Sequence, residues 1–338
     1  MTKTAVVVPN WNGRASLKAC LDSLLSQTMP TLIIVVENGS IDGSLNFLKK
    51  VYPEVEVLIN AKNIGFAEGV NGGIRRAIDL GVEYVALFNN DAVANKDWLE
   101  MLVKELDKKL SVGIATCKFL NIDKVHLDST GDLLTIWGLP YPRGRGEKIK
   151  SEYDNDTIVF GATGGASIYR VSMLREIGLF DKDFFAYYED VDISFRAQLS
   201  GWEVSYVPTS VAYHEIGATS KRIKGFTTYQ TMKNLPWILW KDVPIRYFFR
   251  VGWRFYIAYT AFFLSAARRG QIWPAFKGAS MSALLLPKKI VQRWHIQSTM
   301  KVPPEYIWSI LTHDLPPNAY NLRVARDKWR NFISKDVQ

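Results

Sequence analysis

Apolar residues recur along the first 120 positions in two alternating rhythms. Short runs rich in Val and Ile lie at residues 5–8, 32–36, 55–59, 84–88 and 113–119, and their continuity predicts strands buried on both faces. Between them Leu17, Cys20, Leu21, Leu24 and Leu25 fall at helical spacing. So do Ile74, Ala77 and Ile78, and later Trp98, Met101, Leu102 and Leu106. This alternation predicts an α/β fold with a mainly parallel, Rossmann-like sheet flanked by helices. Ligands of such sheets bind outside the carboxyl ends of the strands, so the polar residues after each apolar run are the ones to read for chemistry.

The rhythm breaks at residues 121–157, where Gly, Pro, Asp and Arg cluster in turn-like groups, most densely at 140–146; a variable hairpin or loop is expected there. Order returns with the small residues 161–167, a helix from about Val171, another from about Asp190, and strands near 204–207 and 211–213. From Phe226 onward the character changes. Trp237, Trp240, Tyr247, Phe248, Phe249 and Trp253 crowd together, interleaved with Lys241, Arg246, Arg250 and Arg254. The expected division is a catalytic unit at 1–225, with a nucleotide half about 1–120 and an acceptor half about 121–225, followed by a helical, aromatic-basic extension at 226–338.

Composition sharpens that division. The chain is 48% hydrophobic and 22% charged, enough to bury a sizeable core. Its net charge of +9 hides an asymmetry: residues 221–338 carry 20 Lys and Arg against 5 Asp and Glu, a net +15, which leaves −6 for residues 1–220. A basic tail on an acidic front points to an anionic partner. Cys20 and Cys117 are too few for a disulfide framework. No signal-peptide core opens the chain, so a cytoplasmic location is expected. The run 251–267 is short for a membrane span and contains Arg254.

Six polar motifs carry candidate chemistry, and each has a plain and a chemical reading. Pro9, Asn10 and Asn12 suit a turn and helix cap, or a ligand edge. In Glu37-Asn38-Gly39-Ser40-Ile41-Asp42-Gly43, a carboxylate at a strand end can accept from a ribose or base edge, while Ser40 or Asp42 can cap the next helix. In residues 63–73, Asn63, Gly65, Phe66 and Asn71 accompany three helical glycines, each costing about 1 kcal/mol relative to Ala, which implies close approach to the helix backbone. Asn89-Asn90-Asp91 ends a strongly apolar run and can hold a divalent cation through oxygen, or cap a helix near Lys96. Glu189, Asp190 and Asp192 crowd a helix start, where the helix dipole favours acids, or where Asp190 can serve as a general base. His214 follows a further strand as a structural histidine or a metal ligand.

Taken in order, VVVPNWN, VVENGSIDGS, NIGFAEGVNGG, FNNDA, YYEDVDISFR and YHEIGATS resemble the inverting family-2 glycosyltransferases of the GT-A fold, and among them the rhamnosyltransferase-like bacterial members. The resemblance covers about residues 3–220. It implies that Pro9, Asn10 and Asn12 line the nucleotide pocket, that Glu37 holds the base or ribose where relatives often carry Asp, and that Asn63 and Gly65 flank the nucleotide. The same motifs add Asn38, Ser40, Asp42, Phe66, Asn71, Asn89 and Asn90 to the donor side. Asn89 replaces the first acid of an Asp-x-Asp motif, so Asp91 becomes the main carboxylate ligand of a Mg²⁺ or Mn²⁺ ion, with His214 as a further ligand. Asp190 matches the catalytic base, Gly164 and Gly165 the acceptor-side wall, and Glu189 and Asp192 contacts to the acceptor or to the base. The implied reaction is a single inverting displacement from a nucleotide-sugar, dTDP-rhamnose first and a UDP-hexose next, onto a polyprenyl-diphosphate-linked glycan or a polysaccharide of the cell wall or surface.

For the tail, nucleic-acid stacking, ordinary helix packing and attachment to a membrane surface all fit aromatics mixed with cations; attachment to the inner face of the cell membrane is the favoured reading, with no nucleic-acid partner and with homo-oligomer formation left open. A nucleotidyltransferase and a Rossmann oxidoreductase are disfavoured, because residues 8–13 supply neither a Gly-rich phosphate loop nor G-x-G-x-x-G. A non-catalytic protein on a degenerate transferase fold is disfavoured by the intact Asp190.

Overall fold

In a computed structural model that describes residues 2–215, 223–317, 319, 322–324, 326 and 327, the five apolar runs become five strands of one sheet. The first half runs β1 (Thr4–Asn10), α1 (Leu17–Leu25), β2 (Leu32–Asn38), α2 (Ser44–Val51), β3 (Glu56–Asn60), α3 (Phe66–Asp79), β4 (Tyr84–Phe88), β5 (Ala92–Ala94), α4 (Trp98–Lys108) and β6 (Val112–Asn121). The second half adds β7 (Leu127–Ser129), β8 (Asp132–Leu134), β9 (Pro140–Pro142), β10 (Thr157–Val159), β11 (Ala166–Arg170), α5 (Val171–Ile177), α6 (Glu189–Leu199) and β12 (Glu203–His214). Four helices close the described chain: α7 (Phe226–Asp242), α8 (Ile245–Arg268), α9 (Ile272–Ser298) and α10 (Pro304–Ile310).

The main sheet is ordered β10-β12-β6-β11-β4-β1-β2-β3, with β5 on β12 and β7 on β6. β1, β2, β3 and β4 are mutually parallel, and β12 is parallel to β6; β11 runs antiparallel between β4 and β6. The carboxyl ends of β1, β2, β3, β4, β6 and β12 therefore share one edge, and the residues leading into β11 join them. Side chains alternate across the sheet with period two. Val6, Val8, Ile33, Val35, Ala86 and Phe88 face α1 and α4, whereas Ala5, Val7, Ile34, Val36, Val85 and Leu87 face α3 and α5. Being apolar on both faces is why these strands read as continuous runs.

The structure departs from the sequence reading in three places and meets it in a fourth, the hairpin expected within 121–157. The helix expected near Lys96 starts at Trp98, and the short β5 precedes it, running back along the end of β12. The strands expected at 204–207 and 211–213 are one strand, whose pairing slips between Val207 and Val211, where Pro208 has no N–H to donate. Within α3, a Cβ on Gly69 would sit 3.3 Å from Asn38 Nδ2 and one on Gly73 would overlap Val7, so close packing on the sheet accounts for both; Gly72 faces open space and nothing in the structure explains it. The irregular stretch at 121–157 holds the small hairpin of β8 and β9.

The expected division at 225/226 falls where α7 begins, but a single core crosses it. Leu134, Phe160, Phe184, Phe195 and Leu199 pack with Trp237, Leu239, Phe255 and Ile307. Pro236 removes one N–H from α7, and the carbonyl it frees, that of Met232, accepts instead from the Tyr259 hydroxyl of α8 at 2.7 Å. Among the described residues, no helix is long and apolar enough to cross a membrane.

Candidate active site

The polar residues that end β1, β2 and β4 meet where the strand order reverses. The chain steps from β1 to β2 and β3 on one side, then returns to β4 on the other, and this leaves a crevice between β1 and β4. Amides bridge it. Asn90 Nδ2 donates to Asn10 Oδ1 (2.7 Å), and Asn10 Nδ2 donates to Glu37 (2.6 Å). Glu37 is buried, and its other oxygen accepts the Ser40 N–H at 2.8 Å. Asn12, at a φ of 53°, offers its N–H to Ser40 Oγ (2.8 Å) and its side-chain oxygen to the Ile41 N–H (2.9 Å). Asp42 accepts from the N–H groups of Arg14 and Ser44, so it caps α2 and ties it to the first loop. Asn38 binds Asn63, the Gly65 carbonyl and the Ile64 N–H, fixing the turn that leads to Phe66. Pro9 stays partly exposed on this edge. Gly13 is tightly enclosed: a Cβ there would overlap Asn90 Nδ2 and lie 2.5 Å from Asn10 Oδ1.

The next cluster sits at the ends of β4 and β12. His214 Nε2 lies 3.1 Å from Asp91 Oδ1 and 3.3 Å from Asn89 Nδ2, while Nδ1 lies 2.7 Å from Asp128. Phe119 stacks on the imidazole with centroids 4.8 Å apart, and Arg145 pairs with the far side of Asp128 at 2.8 Å. Burial opposes charge on His214, but the bonds to Asp128 and Asp91 outweigh it and hold the imidazolium up to about 9. Burial likewise works against the Asp128 anion, and His214 and Arg145 more than offset it, so its carboxyl stays below the usual range. Among the described residues no group of three or more His, Cys, Asp or Glu could hold a metal. The pair Asp91 and His214 nevertheless fits a divalent cation bound together with a diphosphate. Asp128 holds one ring nitrogen, which turns the other toward Asp91, the usual support of a metal-ligating histidine.

The third part is Asp190, at the first turn of α6. Its carboxylate accepts from the Gly164 N–H (3.1 Å) and from the Val191 N–H (2.9 Å). Gly165, next in the chain, accepts the Asn89 N–H at 2.8 Å. The glycine pair thus joins the carboxylate to the strand end that carries Asp91. A Cβ on Gly164 would press Phe66 at 3.2 Å, and one on Gly165 would press Asn89 Nδ2 at 2.9 Å. Burial raises the Asp190 carboxyl above its ordinary value even against the two N–H bonds. Nearby Asp132 is pushed up to about 7 by burial and by the charge of Asp190. Glu189 is buried, one of its oxygens has no partner, and burial beside Asp190 drives its carboxyl well above the usual range.

Two residues expected at the site are placed elsewhere. Asp192 is completely buried; it pairs with Arg196 at 2.8 Å and with Lys241, so it anchors α6 and does not face an acceptor. Asn71 is buried on α3 and exchanges bonds with both backbone groups of Phe180 (2.8 and 3.0 Å), so it ties α3 to that segment and does not line the crevice. The motif at 213–220 is described only through Glu215; Ile216 to Ser220 lie outside the described residues. Asp128, Asp132 and Arg145 carry no strand or helix periodicity of their own, because they sit in the irregular stretch at 121–157. The polar run His126-Leu-Asp-Ser-Thr-Gly-Asp132 was the available signal.

A model of glycosyl transferase family 2 matches residues 5–178. An N-acetylglucosaminyl-diphospho-decaprenol L-rhamnosyltransferase of Mycobacterium tuberculosis is 25% identical over 240 residues, covering 64% of this chain and 77% of the relative. Glucomannan 4-beta-mannosyltransferase 9 of Arabidopsis thaliana is 24% identical over 275 residues, 73% of this chain and 50% of that protein. Two solved structures have similar folds. The mannosyltransferase PcManGT from Pyrobaculum calidifontis, in complex with GDP-Man and Mn²⁺, superposes with a TM-score of 0.53 at 17% identity over 88% of this chain and 85% of its own. S. aureus TarS 1-349 in complex with UDP does so with 0.54 at 16% identity over 88% and 91%. The shared fold is the GT-A fold of glycosyltransferases.

Proposed function

The chain belongs to glycosyl transferase family 2, and from that premise we propose that it is an inverting transferase that moves a sugar from a nucleotide-sugar donor to a hydroxyl of a lipid-linked or polysaccharide acceptor. The observation that carries this reading is the link through Gly164 and Gly165, which sets the carboxylate of Asp190 beside the strand end bearing Asn89, Asn90 and Asp91. Pro9, Asn10, Asn12, Glu37, Asn38, Asn63, Gly65 and Phe66 build the donor wall. Asp190 takes the proton of the acceptor hydroxyl, its carboxylate aimed by the Gly164 and Val191 N–H groups. The acceptor oxygen bonds to the anomeric carbon as the bond to the diphosphate breaks on the opposite face, so the configuration inverts. A Mg²⁺ or Mn²⁺ ion held by Asp91 and His214 would neutralise charge on the diphosphate.

L-Rhamnose from dTDP-rhamnose is the first candidate, supported by the mycobacterial rhamnosyltransferase; its decaprenol-linked acceptor supports a polyprenyl-diphosphate glycan here, in cell-wall or surface polysaccharide synthesis. A UDP-hexose is the second candidate; a hexose donor is supported by the Arabidopsis thaliana glucomannan 4-beta-mannosyltransferase. The decisive experiment offers each sugar nucleotide to the purified protein with a synthetic polyprenyl-diphosphate acceptor and Mn²⁺ or Mg²⁺, beside Asp190→Asn. Transfer with inverted anomeric configuration, lost in Asp190→Asn and on chelation, supports the reading. A fully active Asp190→Asn overturns the assigned base.

The same reading places the protein on an anionic bilayer surface, on the cytoplasmic face. Residues 245–301 contain ten Lys and Arg and no Asp or Glu. Ile245, Phe249, Trp253, Tyr256, Ile257 and Leu264 recur at helical spacing and lie exposed on α8, and α9 exposes Trp273, Phe276, Leu284, Val291 and Trp294 in the same way. A second copy would set like charges together, which favours a lipid surface over self-association. Flotation with phosphatidylglycerol vesicles, and not with phosphatidylcholine alone, is the expected result, weakened by replacing Phe249, Trp253, Trp273 and Phe276 with Ser. Equal recovery with both lipids or with neither refutes the placement.

A further inference from the structure

The segment entering α6 is strained. Phe185, Tyr187 and Tyr188 have φ of 66°, 69° and 70°, in the left-handed region that non-glycine residues rarely occupy. Strain of this kind, of order 1–3 kcal/mol per residue, persists only where the surroundings impose it. Two contacts impose it from the sheet side. The Phe185 carbonyl accepts the Ala67 N–H at the start of α3 (3.1 Å), and Gly65 is pressed so closely that a Cβ there would lie 2.6 Å from that carbonyl oxygen.

On the other side the grip comes from α7. The amide nitrogen of Asn234 lies within bonding distance of three carbonyl oxygens, those of Phe184 (2.9 Å), Ala186 (2.9 Å) and Tyr187 (2.8 Å). Asn234 itself is completely buried. The Lys233 ammonium adds the carbonyls of Asp183 (2.9 Å) and Phe184 (3.1 Å). One turn of α7 thus holds the carbonyls of four of the five residues 183–187, and Asp190 follows three residues later. The two N–H bonds that aim the Asp190 carboxylate depend on where this segment delivers the start of α6.

We infer that Asn234 is a positioning residue for transfer: its amide holds the strained 184–187 backbone, which fixes Asp190 against Gly164. This rests on Asp190 being the base. A helix beyond the family match, which ends at residue 178, would then set the geometry of the reacting carboxylate.

Asn234→Asp tests it, because the side chain keeps its size and exchanges the amide hydrogens for oxygens that repel the three carbonyls. The turnover number should fall about a hundredfold, as for a displacement of about 1 Å at the chemistry. The donor KM and the donor-induced rise in melting temperature should stay within about twofold, because the donor wall is untouched. The acidic limb of the pH–rate profile should move up as Asp190 loses N–H donors. Turnover within about threefold of the parent, or turnover and donor KM changing together, overturns the inference. Should Asn234→Asp not fold, Asn234→Ala, which removes the same amide without adding charge, carries the test: a severalfold drop in turnover with donor binding kept supports it, and unchanged turnover overturns it. Asp190→Asn run in parallel separates the two readings. If Asp190→Asn stays active, the base assignment fails; if Asp190→Asn is inactive while Asn234→Asp turns over normally, only the positioning role fails.

Discussion

The donor crevice and the segment around Asp190 are ordered by opposite means. In the crevice, partners are near neighbours along the sheet: Asn10 holds Glu37, Ser40 meets Asn12, and Asn38 meets Asn63, each joined across one strand–helix–strand unit. Little in it is strained, Asn12 being the one non-glycine residue there with a positive φ. The segment at 181–192 is strained, and it is held by residues about 50 to 108 positions further on, on α7 and α9. Its ionic part is buried as well: Lys241 pairs with Asp181 and Asp192, and Lys289 with Asp181 and Asp183. A crevice built from local turns tolerates change outside its own half. A segment held by a distant helix does not, so the C-terminal helices are mechanically joined to the 181–192 segment.

Five measurements break or sharpen that contrast. Asp190→Asn should lower transfer by about 10²–10⁴-fold with donor binding retained, read by product formation and by thermal shift with the nucleotide. Lys241→Met leaves Asp181 and Asp192 short of a buried cation, so urea melts should show a loss of about 3–5 kcal/mol. The exposed Lys18–Asp22 pair is the control for that experiment, and Lys18→Met should change stability by less than about 1 kcal/mol. In the metal-free protein, His214 holds its proton more tightly folded than unfolded. Its contribution, about 3 kcal/mol, is complete below pH 6.5 and is lost as pH rises through about 9; stability curves of His214→Ala should lack that decline.

The two smaller effects distinguish the halves. Gly13→Ala displaces the Asn90 and Asn10 amides, so the donor KM should rise about tenfold, the equivalent of one hydrogen bond, while the chemical step changes less. Asp132→Asn puts a neutral amide where the parent carboxyl stays protonated until the pH rises to about 7, so the acidic limb of the rate profile, which lies above the ordinary carboxylate range in the parent, should stay within about half a unit of the parent's. Were Gly13→Ala to alter turnover and leave donor KM unchanged, the separation into a donor crevice and a transfer segment would fail.

The amino-acid sequence by itself determined the five parallel strands, because apolar runs of strand length between helical periods admit few other folds. It marked Asn10, Glu37, Asn89 and Asp91 because polar residues at strand ends stand out against apolar neighbours, and Asp190 because it falls among three acids at a helix start. It also marked Asp192 in that helix start and Asn71 in the glycine-rich helix. Only the tertiary structure showed that these two face inward, toward Lys241 and Phe180, because a carboxylate or amide reads the same whether its partner is a ligand or a buried cation. Asp128 behind His214 and Asn234 behind the 184–187 turn were equally beyond the reach of pattern. Each acts across about 50 residues or more, through contacts that exist only once β6 has met β12 and α7 has docked on α6. Local periodicity encodes which face a residue occupies; which distant group waits on that face is decided by packing.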